Sequence, residues 1–132
     1  MRIIVLPMLS MLVLAQSDST QAADLNGAWT VDAASCAQVF TRENDKLAFK
    51  PDADLHAGGL IVQGKKVSGT FQKCTVKSLH DDGSSIKVIA SCNDGVAMSD
   101  MAFDLKFSGE NAITLSQKEP VPVEMAYVRC AL

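Results

Sequence analysis

The stretch that decides the predicted fold is residues 67–92, which read V-S-G-T-F-Q-K-C-T-V-K-S-L-H-D-D-G-S-S-I-K-V-I-A-S-C. Two runs rich in β-branched residues flank His80-Asp81-Asp82-Gly83, a pattern typical of a β-hairpin that turns at Gly83. Folding the stretch at this turn places Cys74 opposite Cys92. Residues directly opposite each other share one face of a sheet, so a disulfide between these two cysteines would fix the register.

The same register predicts that Ser78 lies opposite Val88. Leu79 and Ile89 are then apolar exceptions on an otherwise polar outer face. The buried face carries the remaining apolar residues of the hairpin, which are Cys74, Val76, Ile86, Val88, Ala90 and Cys92.

The next predicted strand, Val96 to Phe107, alternates between apolar and polar residues, which is typical of a strand with one buried face. Pairing this strand with the preceding one through Asn93-Asp94-Gly95 predicts Met101 opposite Val88 and Phe103 opposite Ile86. The buried faces of the two strands then stay in phase.

The rest of the chain predicts about eight short strands in all, each joined to the next by a short turn. A single helix, Ala33 to Thr41, is expected after the first strand, with Asp32 as its N-cap. Consecutive hairpins favour an all-β, antiparallel up-and-down meander. Closing such a meander into a small barrel removes both exposed edges, so we expect a barrel.

The start of the sequence is typical of a secretory signal peptide. Arg2 precedes an uncharged apolar run from Ile3 to Ala15, which is too short to span a membrane. We place cleavage after Ala22, with a site after Ser17 as the alternative. Residues 1–22 are therefore a predicted signal peptide, residues 23–132 a single domain, and the mature protein is expected to be periplasmic or secreted without membrane attachment.

All four cysteines of the sequence, Cys36, Cys74, Cys92 and Cys130, follow the predicted cleavage site. An even number of cysteines in an exported chain is typical of disulfides. Zinc binding is less favoured because no two of these cysteines have the close spacing of paired zinc ligands. The hairpin register selects Cys74–Cys92, and the remaining pair is then Cys36–Cys130.

The formal net charge of −3 is mild, and the sequence contains no long block of like charge. Nucleic acids and anionic membrane surfaces attract clustered positive charge, so neither is expected as a partner.

Gly27-x-Trp29 on the first strand of a small up-and-down β-protein resembles the calycin group, which includes lipocalins, avidins and small barrel inhibitors of bacterial metalloproteases. The resemblance implies that Arg129, on the last strand, packs across Trp29 and closes one end of the barrel. In size the chain is most similar to the metalloprotease inhibitors, which insert an N-terminal tail into the protease. The Gly-x-Trp-x-x-Asp start and the Tyr-x-Arg-Cys end also resemble small exported bacterial proteins without an assigned activity.

Asp52, Asp54 and His56 form a D-x-D-x-H motif in a predicted loop. Carboxylate and imidazole groups at this spacing could bind a divalent cation. A solvated loop whose Asp side chains form turns is the simpler interpretation, and we favour it over a metal site.

His80, Asp81 and Asp82 place an imidazole and two carboxylates at a hairpin tip, which is a candidate acid–base group. An exposed tip shifts pKa values little by burial, so turn formation is the favoured interpretation. The sequence shows no nucleophile–base motif and no cofactor motif, and we expect neither catalysis nor a cofactor.

The sequence therefore predicts an exported, non-catalytic binding protein, whose partner is expected to be a protein outside the cytoplasm. Inhibition of a secreted hydrolase through the loops Pro51–Gly58 and His80–Gly83 is the first hypothesis. The alternative is a carrier of a small apolar ligand inside the barrel, and a metal or enzymatic site is third. Because about 110 residues with few aromatic side chains provide little material to wall a cavity, a filled interior is expected.

Overall fold

The computed structural model describes residues 24–56 and 58–132. The strands are β1 (Gly27–Thr30), β2 (Phe40–Glu43), β3 (Lys46–Phe49), β4 (Leu60–Gln63), β5 (Lys66–Gly69), β6 (Lys73–Asp81), β7 (Ile86–Asn93), β8 (Met98–Phe107), β9 (Ala112–Gln117) and β10 (Val123–Arg129). One short α-helix, α1 (Cys36–Val39), and two 3-10 helices, Ala33–Ser35 and Ala53–His56, lie between β1 and β4. The predicted signal peptide and both candidate cleavage sites lie outside the described residues and stay predictions.

Eight of these strands form a closed antiparallel barrel in the order β1-β10-β9-β8-β7-β6-β5-β4. From β4 to β10 each strand pairs with the next along the chain, and β1 closes the ring between β4 and β10. The predicted all-β meander and its closure are thus confirmed. Closure pairs every barrel strand on both sides, which removes the exposed edges of an open sheet.

The alternation of strand direction assigns every connection to one of two ends of the barrel. The lower end holds the turn Gly64-Lys65, the β6–β7 tip at residues 82–85 and the segment after Arg129. The upper end holds the β5–β6, β7–β8 and β9–β10 loops and the residues that lead into β4.

The segment between β1 and β4 forms an outer layer instead of entering the barrel. As predicted, Asp32 caps its start: Oδ1 accepts a hydrogen bond from the backbone N–H of Ala34 at 3.0 Å. The predicted helix Ala33–Thr41 is wrong at its end, because Phe40 begins β2 and pairs with β3 in a separate two-stranded sheet. Aromatic and β-branched residues favour such extended backbone, and here that preference prevails.

This outer layer packs on the outer face of β1 and β4. Ala28 and Ile61 alternate with the inward-facing Trp29 and Leu60, so their side chains point away from the barrel interior. They belong to a buried cluster that is separate from the barrel core and contains Ala28, Val39, Phe40, Ala53, Ile61 and Cys130. Residues 24–56 and 58–132 therefore form two apolar clusters, one on each side of the β1–β4 wall.

The predicted register of the central hairpin is correct only in its upper half. Cys74 faces Cys92 as expected, but a β-bulge between Val76 and Ser78 then shifts the pairing by one residue. Leu79, not Ser78, consequently faces Val88. Because a one-residue shift reverses which face a side chain occupies, Leu79 turns inward, and its apolar character on a predicted polar face is explained.

The register predicted between β7 and β8 is wrong by two residues. The β7–β8 connection spans residues 94–97, and Met101 faces Ala90 while Phe103 faces Val88. A shift of two residues leaves every side chain on its predicted face, since side chains alternate with a period of two. The inward and outward faces of β8 are therefore as predicted.

Both predicted disulfides are confirmed. Cys74–Cys92 joins adjacent strands with a Cα–Cα distance of 4.0 Å, and Cys36–Cys130 joins α1 to the residue after β10 with a Cα–Cα distance of 5.7 Å. The second bond connects the outer layer to the end of the barrel. In the described ranges, the helices are all too short to cross a membrane.

Candidate functional site: the barrel cavity

The barrel interior contains a partly open cavity of about 690 Å³. All eight barrel strands contribute to its wall, and the wall is mainly apolar, with Trp29, Val62, Val76, Val88, Phe103 and Leu115 among its side chains. Cavities that hold small molecules are typically 300–1,000 Å³ and lined in this way. The interior is therefore large enough, and of the right chemistry, for a small apolar molecule.

The accessibility of inward-facing side chains is consistent with this cavity. Val123 and Met125 face inward because they lie opposite Gln117 and Leu115 on β9, yet each is 39% exposed. Leu79, turned inward by the bulge, is 44% exposed. In a filled interior such side chains would be buried by their neighbours, as protein cores are close-packed.

The expectation of a filled interior is thus wrong, and the distribution of aromatic residues explains why. Phe40 and Phe49 stack on each other in the outer layer, with ring centroids 5.4 Å apart, and Phe71 is exposed on the β5–β6 loop. Many inward positions on β4 to β7 carry small or β-branched side chains, which are Val62, Val67, Cys74, Val76, Val88 and Ala90. An eight-stranded barrel is just wide enough for side chains to fill, so small ones leave it hollow.

Trp29 and Arg129 cover part of the lower end of the cavity. They face each other across β1 and β10, and the guanidinium carbon of Arg129 lies 4.3 Å from the ring centroid of Trp29. Arg129 also donates hydrogen bonds to the backbone carbonyls of Asp24, Asn26 and Glu110. The contact implied by the resemblance is present, and it fastens the chain before β1 across the end of the barrel.

Gly27 contributes to the same closure through its backbone. Its φ of 133° is rarely adopted by residues with a side chain, and a Cβ there would lie 3.4 Å from Nη1 of Arg129. The Trp29 indole N–H donates to the carbonyl of Leu25 at 2.9 Å, so the polar atom of this buried ring is satisfied. Gly27, Trp29 and Arg129 thus form one packed unit.

Tyr127 is a wall residue that the sequence reasoning did not single out. It faces inward opposite Ile113, and its hydroxyl lies 3.5 Å from Sδ of Met125, which also lines the cavity. Burial raises the pKa of the Tyr127 phenol above its usual value of 10.0. The sequence feature that could have identified Tyr127 is its position two residues before Arg129, because this spacing places both side chains on the same face of β10.

The upper end of the barrel is surrounded by exposed apolar side chains. Phe71 in the β5–β6 loop, Val96 in the β7–β8 loop and Val121 in the β9–β10 loop are 76%, 94% and 60% exposed. Gln117 lines the cavity near this end, and its amide donates to the carbonyl of Val121 at 3.3 Å. Each of the three upper loops thus carries an apolar side chain in solvent.

The Asp52, Asp54 and His56 motif lies on the outer layer, in and just before the 3-10 helix Ala53–His56. Nε2 of His56 is 3.5 Å from Oδ2 of Asp52, and both side chains are substantially exposed. No group of three potential metal ligands converges anywhere in residues 24–56 or 58–132, so Asp54 does not complete a site with this pair.

The predicted tip His80–Gly83 lies partly in β6, because His80 and Asp81 pair with Lys87 and Ile86 and the turn itself spans residues 82–85. Oδ1 of Asp82 accepts hydrogen bonds from the backbone N–H groups of Ser84 and Ser85, and Oδ1 of Asp81 accepts one from Gly83. The Ser85 and Ser84 N–H groups hold the pKa of the Asp82 carboxyl below its usual value of 3.8. These bonds are the turn chemistry that the sequence favoured.

The two predicted binding loops do not form one surface. Pro51–Gly58 leads into β4 at the upper end, whereas His80–Gly83 is at the lower end, because β4 and β6 run in the same direction. A single partner would have to span the length of the barrel to contact both loops.

No protein-family model, no curated protein sequence and no solved structure matches this chain. The closed barrel agrees with the fold that the resemblance to calycins implies. Barrel shape alone, however, is shared by unrelated families and does not assign the chain to one of them.

Proposed function

We propose that this protein is an exported, non-catalytic carrier that binds one small apolar molecule inside its barrel. The observation that supports the proposal is the apolar cavity of about 690 Å³, which the sequence alone did not lead us to expect. The two disulfides are consistent with an oxidising compartment outside the cytoplasm.

The size of the cavity sets the affinity to expect. At about 25 cal/mol per Å², burying about 300 Å² of apolar ligand surface contributes about 7.5 kcal/mol, from which an association cost of about 4 kcal/mol or more is subtracted. A dissociation constant of 1 mM corresponds to about 4 kcal/mol. We therefore expect dissociation constants near the millimolar range, so the carrier also releases its ligand readily.

The hypothesis of hydrolase inhibition has less support. An inhibitory tail would consist of residues that precede β1, and most of those residues lie outside the described part of the chain. The two candidate loops lie at opposite ends of the barrel and offer no common contact surface. We therefore place the carrier function before inhibition, which reverses the order favoured by the sequence.

The carrier function is tested with N-phenyl-1-naphthylamine, an uncharged apolar probe whose fluorescence rises in apolar surroundings. The disulfide-bonded mature protein should bind it, and Val76→Phe should weaken binding by about tenfold, equivalent to about 1.4 kcal/mol. Val76 lines the cavity, so the larger ring occupies space that the probe needs.

Thr75→Phe is the matched control because Thr75 is adjacent on β6 and exposed on the outer face. It adds the same ring without entering the cavity, so its affinity for the probe should equal that of the wild type. Circular dichroism and thermal midpoints check that both variants fold. Absence of probe binding to the wild type, or equal weakening in the two variants, would contradict the carrier function.

A further inference from the structure

One hydrogen-bonding group of the cavity wall, the Tyr127 hydroxyl, is barely used by the protein itself. Among the residues described, this hydroxyl has a single hydrogen-bond partner, Sδ of Met125 at 3.5 Å. A thioether sulfur is a weak acceptor, and Tyr127 is half-buried against the wall. The hydroxyl can therefore donate to a better acceptor without breaking any strong internal bond.

Three other polar groups at the cavity already have backbone partners. The Trp29 indole donates to the carbonyl of Leu25, and the Gln117 amide donates to that of Val121. Arg129 is stacked on Trp29 and donates to three backbone carbonyls. The Tyr127 hydroxyl differs from these three groups in having its main donor capacity still available.

Four further polar side chains of the wall lie elsewhere on it. Lys65 is in the lower β4–β5 turn and Gln72 in the upper β5–β6 loop, whereas Ser78 lies opposite the outward-facing Ile89 and Lys77 is paired with Asp100. Tyr127 is therefore the polar side chain that points from an inward position of a strand with a weak partner.

The surroundings of Tyr127 also indicate the charge of the ligand. Burial raises the pKa of its phenol, which means that a negative charge is disfavoured at this point of the wall. A charged ligand would lose its hydration in the same apolar space, at a cost that one hydrogen bond does not offset. The charged residues of the wall also balance one another, because Lys77 is paired with Asp100 and the remaining two, Asp24 and Lys65, have opposite charges. The acceptor on the ligand should therefore be neutral.

We propose that Tyr127 is the polar anchor of the cavity, and that the ligand is an uncharged apolar molecule with one hydrogen-bond acceptor oxygen, such as a ketone. This inference rests on the proposed carrier function. It adds that the hydroxyl of Tyr127 leaves Met125 and donates to the ligand oxygen, while the apolar wall contacts the rest of the molecule.

The test compares two ligands of matched shape, 2-acetylnaphthalene and 2-ethylnaphthalene, as competitors of N-phenyl-1-naphthylamine. Tyr127→Phe should weaken binding of the ketone by about fivefold, the typical effect of one lost hydrogen bond. Binding of the hydrocarbon should change by less than about twofold, since it makes no such bond. Met98→Leu, at an exposed methionine of β8 that is not part of the cavity wall, is the control and should leave binding of both ligands unchanged.

The infrared carbonyl band of bound 2-acetylnaphthalene gives a second readout that packing changes alone would not move. It should lie at lower frequency in the wild type than in Tyr127→Phe, because a donated hydrogen bond weakens the C=O bond. Equal loss of both ligands in Tyr127→Phe, or an unshifted band, would overturn the anchor role but leave the carrier function standing. If neither ligand binds the wild type, both proposals are overturned.

Discussion

Arg129 makes two kinds of contact that lysine cannot replace together. Its planar guanidinium stacks on Trp29 and at the same time donates to carbonyls at Asp24, Asn26 and Glu110. We expect Arg129→Lys to lower the free energy of unfolding by about 2 kcal/mol, from the lost stacking and hydrogen bonds. Urea unfolding followed by the emission of Trp29, the single tryptophan in the sequence, measures this change.

Arg42→Lys is the control for Arg129→Lys. Arg42 is on β2, outside the barrel, and its guanidinium makes one exposed hydrogen bond with the carbonyl of Asp45. Its replacement should alter stability by less than about 0.5 kcal/mol. Similar losses in the two variants would show that the contact with Trp29 contributes little.

At the level of single residues, the sequence predicted contacts better than it predicted empty space. Gly27-x-Trp29 and a late arginine were enough to place the Arg129 contact through a family resemblance. Tyr127 was not identified from the sequence because its importance depends on the empty space beside its side chain. A cavity leaves no local pattern in a sequence. Only the alternation along β10 indicated that its side chain points inward.

Two hairpin connections are held by an aspartate that accepts backbone hydrogen bonds. Asp82 accepts from Ser84 and Ser85, and Asp94 accepts from Val96 and Ala97. These N–H groups hold the pKa of each carboxyl below its usual value of 3.8. Because the pKa is lower in the folded state, the charged carboxylate stabilises the turn at pH values above the pKa of the unfolded state. This stabilisation is lost as the pH falls through the pKa of the folded state.

We therefore expect both connections to loosen below about pH 4 while the barrel itself persists. Amide exchange followed by NMR should show lower protection factors at Ser85 and Ala97 at acid pH, with each observed rate divided into the intrinsic rate at the same pH. In Asp82→Asn the amide oxygen can still accept these bonds and does not titrate, so the Ser85 response should disappear. A carbon-detected titration that gives Asp82 an ordinary or raised pKa would refute this expectation.

At the level of elements, a strand's inward and outward faces were predictable where the local alternation of apolar and polar residues determines them. Features that depend on tertiary packing were not predictable. The alternation on β8 gave its faces correctly even though its register was off by two residues. The bulge near Ser78 was not predicted because no glycine or proline marks it, although the misplaced Leu79 was a signal. Phe40 leaves the predicted helix because it packs in the outer layer; its aromatic preference for extended backbone was a local signal, but the packing that this preference serves was not readable from the segment.

The two disulfides should differ in their effect on the whole molecule. Cys36–Cys130 spans 94 residues of sequence and Cys74–Cys92 spans 18. From loop-closure entropy, we expect Cys36→Ala with Cys130→Ala to cost about 4–5 kcal/mol, and Cys74→Ala with Cys92→Ala about 3 kcal/mol. Since domains of this size have about 5–15 kcal/mol in total, the first pair should leave a marginal fold.

Chemical denaturation of the two double variants provides the measurement, with the oxidised wild type as reference. A larger loss for the Cys74–Cys92 pair would contradict the entropic argument. It would indicate instead that the contact between β6 and β7 matters more than the closure of a long loop.

At the level of the molecule, barrel closure and both disulfides were predictable from the sequence. The even number of cysteines and the register of the central hairpin predict the two disulfides. The need to pair both edges of the meander predicts the barrel. The hollow interior did not follow. A low number of aromatic residues predicts too little material to build a wall. In the structure the backbone of eight strands forms the wall, and the lack of bulky inward side chains leaves the space.

The position of Arg129 at the lower end has a practical result for handling the protein. Residue 132 emerges at the end of the barrel opposite the loops that carry Phe71, Val96 and Val121. A tether added after that residue would leave the apolar upper rim facing outward from a sensor chip. Immobilised molecules would then share one orientation, with that rim presented to whatever solution flows past.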